Sequence, residues 1–423
     1  MRPKNALGIF VVAAVIFVLG ASPLLAGNYL AQKEAVSRTG TNPENLAGRD
    51  DLTTAAVNSG QKAAEPATEE IAVKQPADNS AGINSGAEGK YVVGFYVDQE
   101  NEQPSSYNSM LANKNEISAI APFWYRLSPE SAVSLEEHHA ESGFTARQVK
   151  AIISKAQEED IKVLMLIHNL LYSGQVNGKK LAQEMLAGED NRKAFIANVE
   201  KILKEYNYDG INLDIESIYI DDRDNFSALL KEMFAKLAPQ GYTITVSVPA
   251  KTCDDKTNAW SGPFDYGVIG KYADYIAVMT YDEHGYSSEV PGPIASQGWV
   301  EDVVKYAVKE IPAEKILVGI AGYGFDWQTG HKAPRYLSYS QALETAQDHN
   351  ISISWDDRGK VPYFKYTDDD GQAHEVWFES GSSFSHKLEI VKSYDLGGIA
   401  VWRLGLEDQE MWNILRDNMK VIK

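Results

Sequence analysis

The fold class the sequence predicts is α/β: a (β/α)8 TIM barrel with a small α+β insertion between its seventh and eighth strands. Three observations predict it. Short apolar, β-branched runs alternate with amphipathic stretches from Lys90 to the end of the chain. The regular part runs for about 330 residues, which suits such a barrel carrying one insertion. The loop after the first strand, Val97-Asp98-Gln99-Glu100, lacks the glycines that an open, doubly wound sheet uses to cradle phosphate. That open sheet is the alternative architecture.

The strands are expected at Tyr91–Val97, Ile117–Trp124, Lys162–Ile167, Gly210–Glu216, Thr243–Val248, Tyr275–Tyr281, Ile316–Tyr323 and Gly398–Trp402. Helical periodicity falls between them at Ala146–Gln157, Arg192–Tyr206, Arg223–Leu237, Val300–Ile311 and Phe384–Tyr394, with Glu407–Asn418 last. Shorter helices are expected near Tyr107–Lys114 and Tyr266–Tyr272. Strand-then-helix alternation implies parallel pairing with helices outside. The insertion spans about residues 328–379. It carries a helix, Tyr339–Gln347, and two strand-like runs, Pro362–Tyr366 and His374–Phe378, joined by the turn signal Asp368-Asp369-Asp370-Gly371.

Upstream the pattern is different. Arg2 and Lys4 precede an uncharged, mostly apolar run from Ala6 to Ala26. A cleaved signal has an apolar region of roughly 7–15 residues and a spanning helix needs about 20. Residues 1–26 therefore read as a signal anchor or a signal peptide, and either exports the rest of the chain. Residues 27–88 are dominated by small and polar types, with Tyr29 the only aromatic. Such a segment buries too little apolar surface to order itself, so it is expected to be a tether for a domain at 89–423.

Composition excludes some functions. The 423 residues carry a net charge of -19, which repels nucleic acid. The single cysteine, Cys253, forms no intrachain disulfide and no thiolate metal cluster. His168 and His284 end strands, but neither belongs to a His-Glu-His spacing, so no metal and no cofactor is expected. The chain is expected to work as a monomer, either held to a membrane by its N-terminal segment or secreted after that segment is cleaved.

The strongest chemical signal is Asp209-Gly210-Ile211-Asn212-Leu213-Asp214-Ile215-Glu216. Side chains alternate along a strand, so Asn212, Asp214 and Glu216 share one face and three aliphatic residues share the other. The aliphatic face suits the helix layer. The polar column then points into the barrel, where burying it costs several kcal/mol unless it is paired or used. A ladder that only stiffens the barrel is the structural alternative. Glu216 falls at the C-terminal strand end, where barrel active sites sit.

These residues resemble the chitinase-like barrels of glycoside hydrolase family 18, whose fourth strand carries D-G-x-D-x-D-x-E. The chain matches at Asp209, Gly210, Asp214 and Glu216 and departs at Asn212. Met279-Thr280-Tyr281-Asp282, Trp402 at the end of the eighth strand, and Gly94-Phe95-Tyr96 on the first also match. The resemblance covers about Lys90 to Lys423. Pro122-Phe123-Trp124, Pro249-Ala250-Lys251, Trp260-Ser261-Gly262 and Trp402-Arg403-Leu404-Gly405 resemble the spore-germination, cortex-lytic branch of N-acetylglucosaminidases. That branch often carries N-terminal wall-binding repeats, and this chain has the tether instead.

The resemblance implies retaining, substrate-assisted cleavage of β-linked N-acetylglucosamine polymers, with the sugar's own acetamide as nucleophile. Glu216 would be the acid, Asp214 would orient the acetamide, and Tyr281 would bind its oxygen. Trp402 would form the floor under the sugar. Asn212, Met279 and Asp282 are further candidate substrate contacts, as are Tyr96, Trp124 and Trp299 as aromatic platforms. Some relatives lose the acid and become lectins; the presence of Glu216 argues against a purely binding role.

Overall fold

The computed structural model describes residues 89–97, 105–137, 144–170, 177–331 and 333–423. The expected anchor, the tether and Asp98 lie outside the described residues.

Among the described residues there are fifteen strands: β1 (Tyr91–Tyr96), β2 (Ala119–Pro122), β3 (Tyr125–Ser128), β4 (Ser131–Glu137), β5 (Lys162–His168), β6 (Gly210–Asp214), β7 (Thr243–Pro249), β8 (Tyr275–Met279), β9 (Ile316–Ala321), β10 (Tyr323–Gln328), β11 (Arg335–Ser338), β12 (Ser354–Asp356), β13 (Val361–Thr367), β14 (Ala373–Phe378) and β15 (Gly398–Trp402). Eight of them pair in parallel in the order β2-β1-β15-β9-β8-β7-β6-β5. The β2–β5 pairing, Ala119 opposite Lys162, closes the ring. The predicted barrel is therefore the observed one.

Strand alternation separates two cores. Tyr91, Val93, Phe95, Ala119, Ala121, Leu164, Leu166, Ala277, Leu317 and Ala400 fill the barrel interior. Val92, Ile211, Leu213, Ile276, Val278, Val318 and Ile399 pack outward against the helices. At Gly210 a Cβ would lie 2.1 Å from the Thr243 carbonyl oxygen, so β6 meets β7 too closely for any side chain.

Two expected strands stop short, β6 at Asp214 rather than Glu216 and β8 at Met279 rather than Tyr281, so both site residues follow their strands. Three larger features also differ from the sequence reading. An antiparallel hairpin, β3 with β4, follows β2 before the next helix. A helix at Gly178–Leu186, capped by Asn177, precedes the longer one at Glu189–Tyr206. The insertion begins at Tyr323 rather than near residue 328, because β10 is already part of its sheet. That sheet has the order β11-β10-β14-β13-β12. One face packs Leu337, Phe364, Val376 and Phe378 with Ala342 and Ala346 of the helix Tyr339–Asp348. The other carries Tyr323, Phe325 and Trp327, in a cluster that reaches Tyr281 and Trp402 of the barrel.

Candidate active site

The site begins with β6. At its lower end the Asp209 carboxylate accepts from the Val163 amide at 2.8 Å and from Gln157 Nε2 at 3.0 Å, which fixes the entry of the strand. Asn212, Asp214 and Glu216 then face inward, while Ile211, Leu213 and Ile215 lie in the outer core. Exposure rises up the column, from 1% at Asn212 through 3% at Asp214 to 7% at Glu216. The lower two are sealed in the barrel, and the carboxyl of Glu216 stands at the rim.

Asn212 is expected among the sugar contacts, and its amide is instead used by the neighbouring strand. Its Nδ2 donates to Thr245 Oγ1 at 2.8 Å, and its Oδ1 accepts from Ser247 Oγ at 3.1 Å. Thr245 Oγ1 in turn donates to the Ile211 carbonyl at 3.0 Å. Asn212 is a buried strut below Asp214, with no surface left for a ligand.

The β5–β6 register ends at His168 opposite Asp214, two residues short of Glu216. Beyond that point the chain is held by a side chain. Asn169 Nδ2 donates to the Ser217 carbonyl at 2.6 Å and to the Gly178 carbonyl at 3.2 Å, and Asn169 Oδ1 accepts from the Ser217 amide at 3.3 Å. Nothing in the sequence motif marks Asn169, because its partner lies 48 residues away.

Met279 ends β8 on the same face as Ala277 and looks into the barrel. Tyr281 follows, half-buried, with the ring of Tyr323 at 6.2 Å and 72°. Tyr323 donates its hydroxyl to Asp282 Oδ1 at 2.5 Å. Burial, reinforced by the Asp282 carboxylate, pushes the Tyr323 phenol well above its ordinary pKa, so it stays a donor. Asp282 has a φ of 62°, a left-handed conformation that aspartate tolerates. It thus braces the insertion lobe against the segment after β8 that carries Tyr281.

Trp402 is half-buried at the end of β15. Its ring meets Phe95 at 5.3 Å and Phe123 edge-on at 5.8 Å, and Phe123 stacks on His168 at 3.9 Å. These rings make a continuous aromatic floor. Tyr96 and Trp124, expected as platforms, do not belong to it. Both are fully buried in the helix layer, where they pack edge to face at 5.8 Å. Trp299 lies in the helix Gln297–Glu310 and also packs on the outer core. The interior rings are their neighbours, Phe95 and Phe123.

The Pro249-Ala250-Lys251 segment also finds its reason here. The buried Lys251 ammonium donates to the Phe264 carbonyl at 2.5 Å and to Asp254 at 2.9 Å. Arg223 clamps Asp254 and Asp265, each at 2.9 Å. Together they tie down the loop that rims the barrel after β7. Among the described residues no group of three or more His, Cys, Asp and Glu is placed to hold a metal ion.

A closed parallel barrel with two stacked carboxyl residues at the mouth of its fourth strand, a tyrosine on the sixth and a tryptophan floor defines a glycosidase-type site. The profile of glycosyl hydrolases family 18 matches residues 91–407, and the chain belongs to that family. It is a glycoside hydrolase related to spore cortex-lytic enzymes and chitinases. It is 31% identical over 269 residues to the uncharacterized glycosylase YvbX of Bacillus subtilis, covering 63% of this chain and 78% of that protein. It is 31% identical over 274 residues to the cortical fragment-lytic enzyme of the same organism, covering 64% and 63% of the two chains. The crystal structure of the Bacillus megaterium spore cortex-lytic enzyme SleL superposes with a TM-score of 0.69 at 27% identity, over 79% of this chain and 75% of that one.

Proposed function

We propose that the protein hydrolyses β-linked N-acetylglucosamine-containing polysaccharide of the spore cortex or cell wall, with retention and with the substrate's acetamide as nucleophile. One observation carries the reading: Asp214 ends β6 facing the barrel interior, Glu216 follows two residues beyond it on the same side, and exposure increases toward Glu216. The Glu216 carboxyl protonates the leaving glycosidic oxygen as that bond breaks. The acetamide oxygen bonds to the anomeric carbon and gives an oxazolinium ion. Asp214 stabilises its N–H and Tyr281 holds the acetamide oxygen. Water then opens the ring, and the Glu216 carboxylate takes the water's proton. Trp402 is the apolar surface beneath the sugar. The cortex-lytic names of the relatives favour peptidoglycan, and chitin-type oligomers share the same reacting unit.

The test compares acetylated glycan oligomers with the same oligomers after de-N-acetylation. The acetylated form should be cleaved and the other nearly inert, and a thiazoline mimic of the intermediate should bind at least about 10²-fold more tightly than the sugar. Comparable hydrolysis of both forms would refute the mechanism. Export and anchoring are proposed from Arg2, Lys4 and the apolar run to Ala26. Protease added to intact cells should then remove the catalytic domain, and a protected cytoplasmic domain would overturn that topology.

A further inference from the structure

We propose that Asn169 is a positioning residue for the catalytic acid, a side chain that continues the β5–β6 ladder where the backbone pairing stops. This rests on the reading of Glu216 as the acid. The pairing register ends at His168 opposite Asp214, so Glu216 lies beyond the regular sheet. A residue there has two soft dihedrals and no strand to fix them. Asn169 supplies the missing strand. Its amide takes both polar groups of Ser217, the amide at 3.3 Å and the carbonyl at 2.6 Å, and so mimics a peptide pairing across the gap. A third bond, to the Gly178 carbonyl at 3.2 Å, ties the arrangement to the helix Gly178–Leu186.

The amide is fully buried, and Ser217 beside the acid is 6% exposed, so water does not compete for these bonds. An asparagine is the right group. It offers one acceptor and two donors at fixed spacing, and all three are used. Leucine of the same size removes all three bonds, and with them the hold on the buried amide and carbonyl of Ser217. Aspartate accepts from Ser217 but sets a carboxylate against two carbonyl oxygens. The clamp acts on the main chain immediately after Glu216, so its loss moves the acid's carboxyl while leaving Asp214, Tyr281 and the Trp402 floor in place. Displacement of a reacting group by about 1 Å costs on the order of 10²-fold.

The experiment uses the full chain and two substrates. One is the tetramer of β-linked N-acetylglucosamine, whose leaving sugar must be protonated. The other is a 2,4-dinitrophenyl glycoside of N-acetylglucosamine, whose leaving group departs without a proton. The readout is kcat/KM, which reports bond cleavage. Asn169→Ala should lose on the order of 10²-fold on the tetramer and less than about threefold on the dinitrophenyl glycoside. An equal loss on both substrates, or none on the tetramer, would overturn the proposal. Asn169→Asp keeps the shape and supplies a second, independent reading. A neutral carboxylic acid can donate to the Ser217 carbonyl and the ionised form cannot, so its tetramer activity relative to wild type should rise as pH falls. A constant ratio across pH would count against the clamp. Glu216→Gln in parallel separates the two claims. If it cleaves the tetramer as well as wild type, the acid assignment fails and the clamp with it. If it collapses while Asn169→Ala does not, only the clamp falls.

Discussion

Substituting Asn212 by Asp tests how the buried column controls the acid. The family motif has aspartate at this position, and the structure gives the electrostatic consequence. Residues two apart on a strand are separated by about 6.7 Å. At an effective dielectric constant of about 20, a charge at 212 interacts with one at 214 by about 2.5 kcal/mol, or about 1.8 pH units. Asn212 and Asp214 are 1% and 3% exposed, so salt screens this little. The new carboxylate faces two hydroxyls, Thr245 Oγ1 and Ser247 Oγ, which now lie 2.8 and 3.1 Å from the amide. Both can turn to donate, Thr245 by leaving the Ile211 carbonyl, and two bonds to a charge contribute about 3–6 kcal/mol against its desolvation. The carboxylate is therefore ionised at neutral pH. The pair Asp214–Glu216 should then titrate upward as a unit, and both limbs of the kcat/KM profile should move to higher pH by about 1–2 units. Burial raises the carboxyl's folded pKa above its unfolded value near 3.9. Stability is then retained at low pH and lost as pH rises through the folded pKa, which thermal unfolding reads directly. An unshifted rate profile, in a variant whose stability does fall with pH in this way, would refute the reasoning.

Trp402→Ala removes the floor above Phe95 and Phe123 and should lower kcat/KM by about 10–100-fold, the value of burying one large apolar side chain; steady-state kinetics that match wild type would show that the sugar does not rest there. Gly210→Ala drives a methyl to 2.1 Å from the Thr243 carbonyl oxygen, backbone that cannot step aside, and should cost at least about 1–3 kcal/mol in denaturant unfolding. Burial raises the carboxyl pKa of Glu407, although Ser109 and Trp412 donate to it. The raised value means that stability is lost as pH climbs above the unfolded carboxylate range. Glu407→Gln removes that loss, so its melting temperature relative to wild type should rise from pH 4 to pH 8; a constant difference would assign the carboxyl an ordinary pKa.

The fold and the inward-facing position of Glu216 were legible for one reason, and the aromatic floor was misread for its opposite. In β6 the two faces differ in chemistry: Asn212, Asp214 and Glu216 against Ile211, Leu213 and Ile215. Alternation of polar and aliphatic residues states which side is used. Phe95-Tyr96 and Phe123-Trp124 put a ring on both faces, so hydrophobicity cannot tell barrel interior from helix layer. There only the count from the strand's start decides, and it selects Phe95 with Tyr91 and Val93. The insertion's start was hidden similarly, because β9 and β10 are separated by Gly322 alone and read as one apolar run. The hairpin β3–β4 carries a half-exposed strand, Ser131–Glu137, without a clean period. Asn169 belongs to a further kind, since no local pattern describes a side chain that takes the place of a strand. A motif names the residues that meet the substrate, whereas the restraint on Glu216 comes from the end of a neighbouring strand. Such restraints become readable once the register shows where the backbone ladder stops, and the amide that bridges the gap is then the residue whose loss should be felt in the rate.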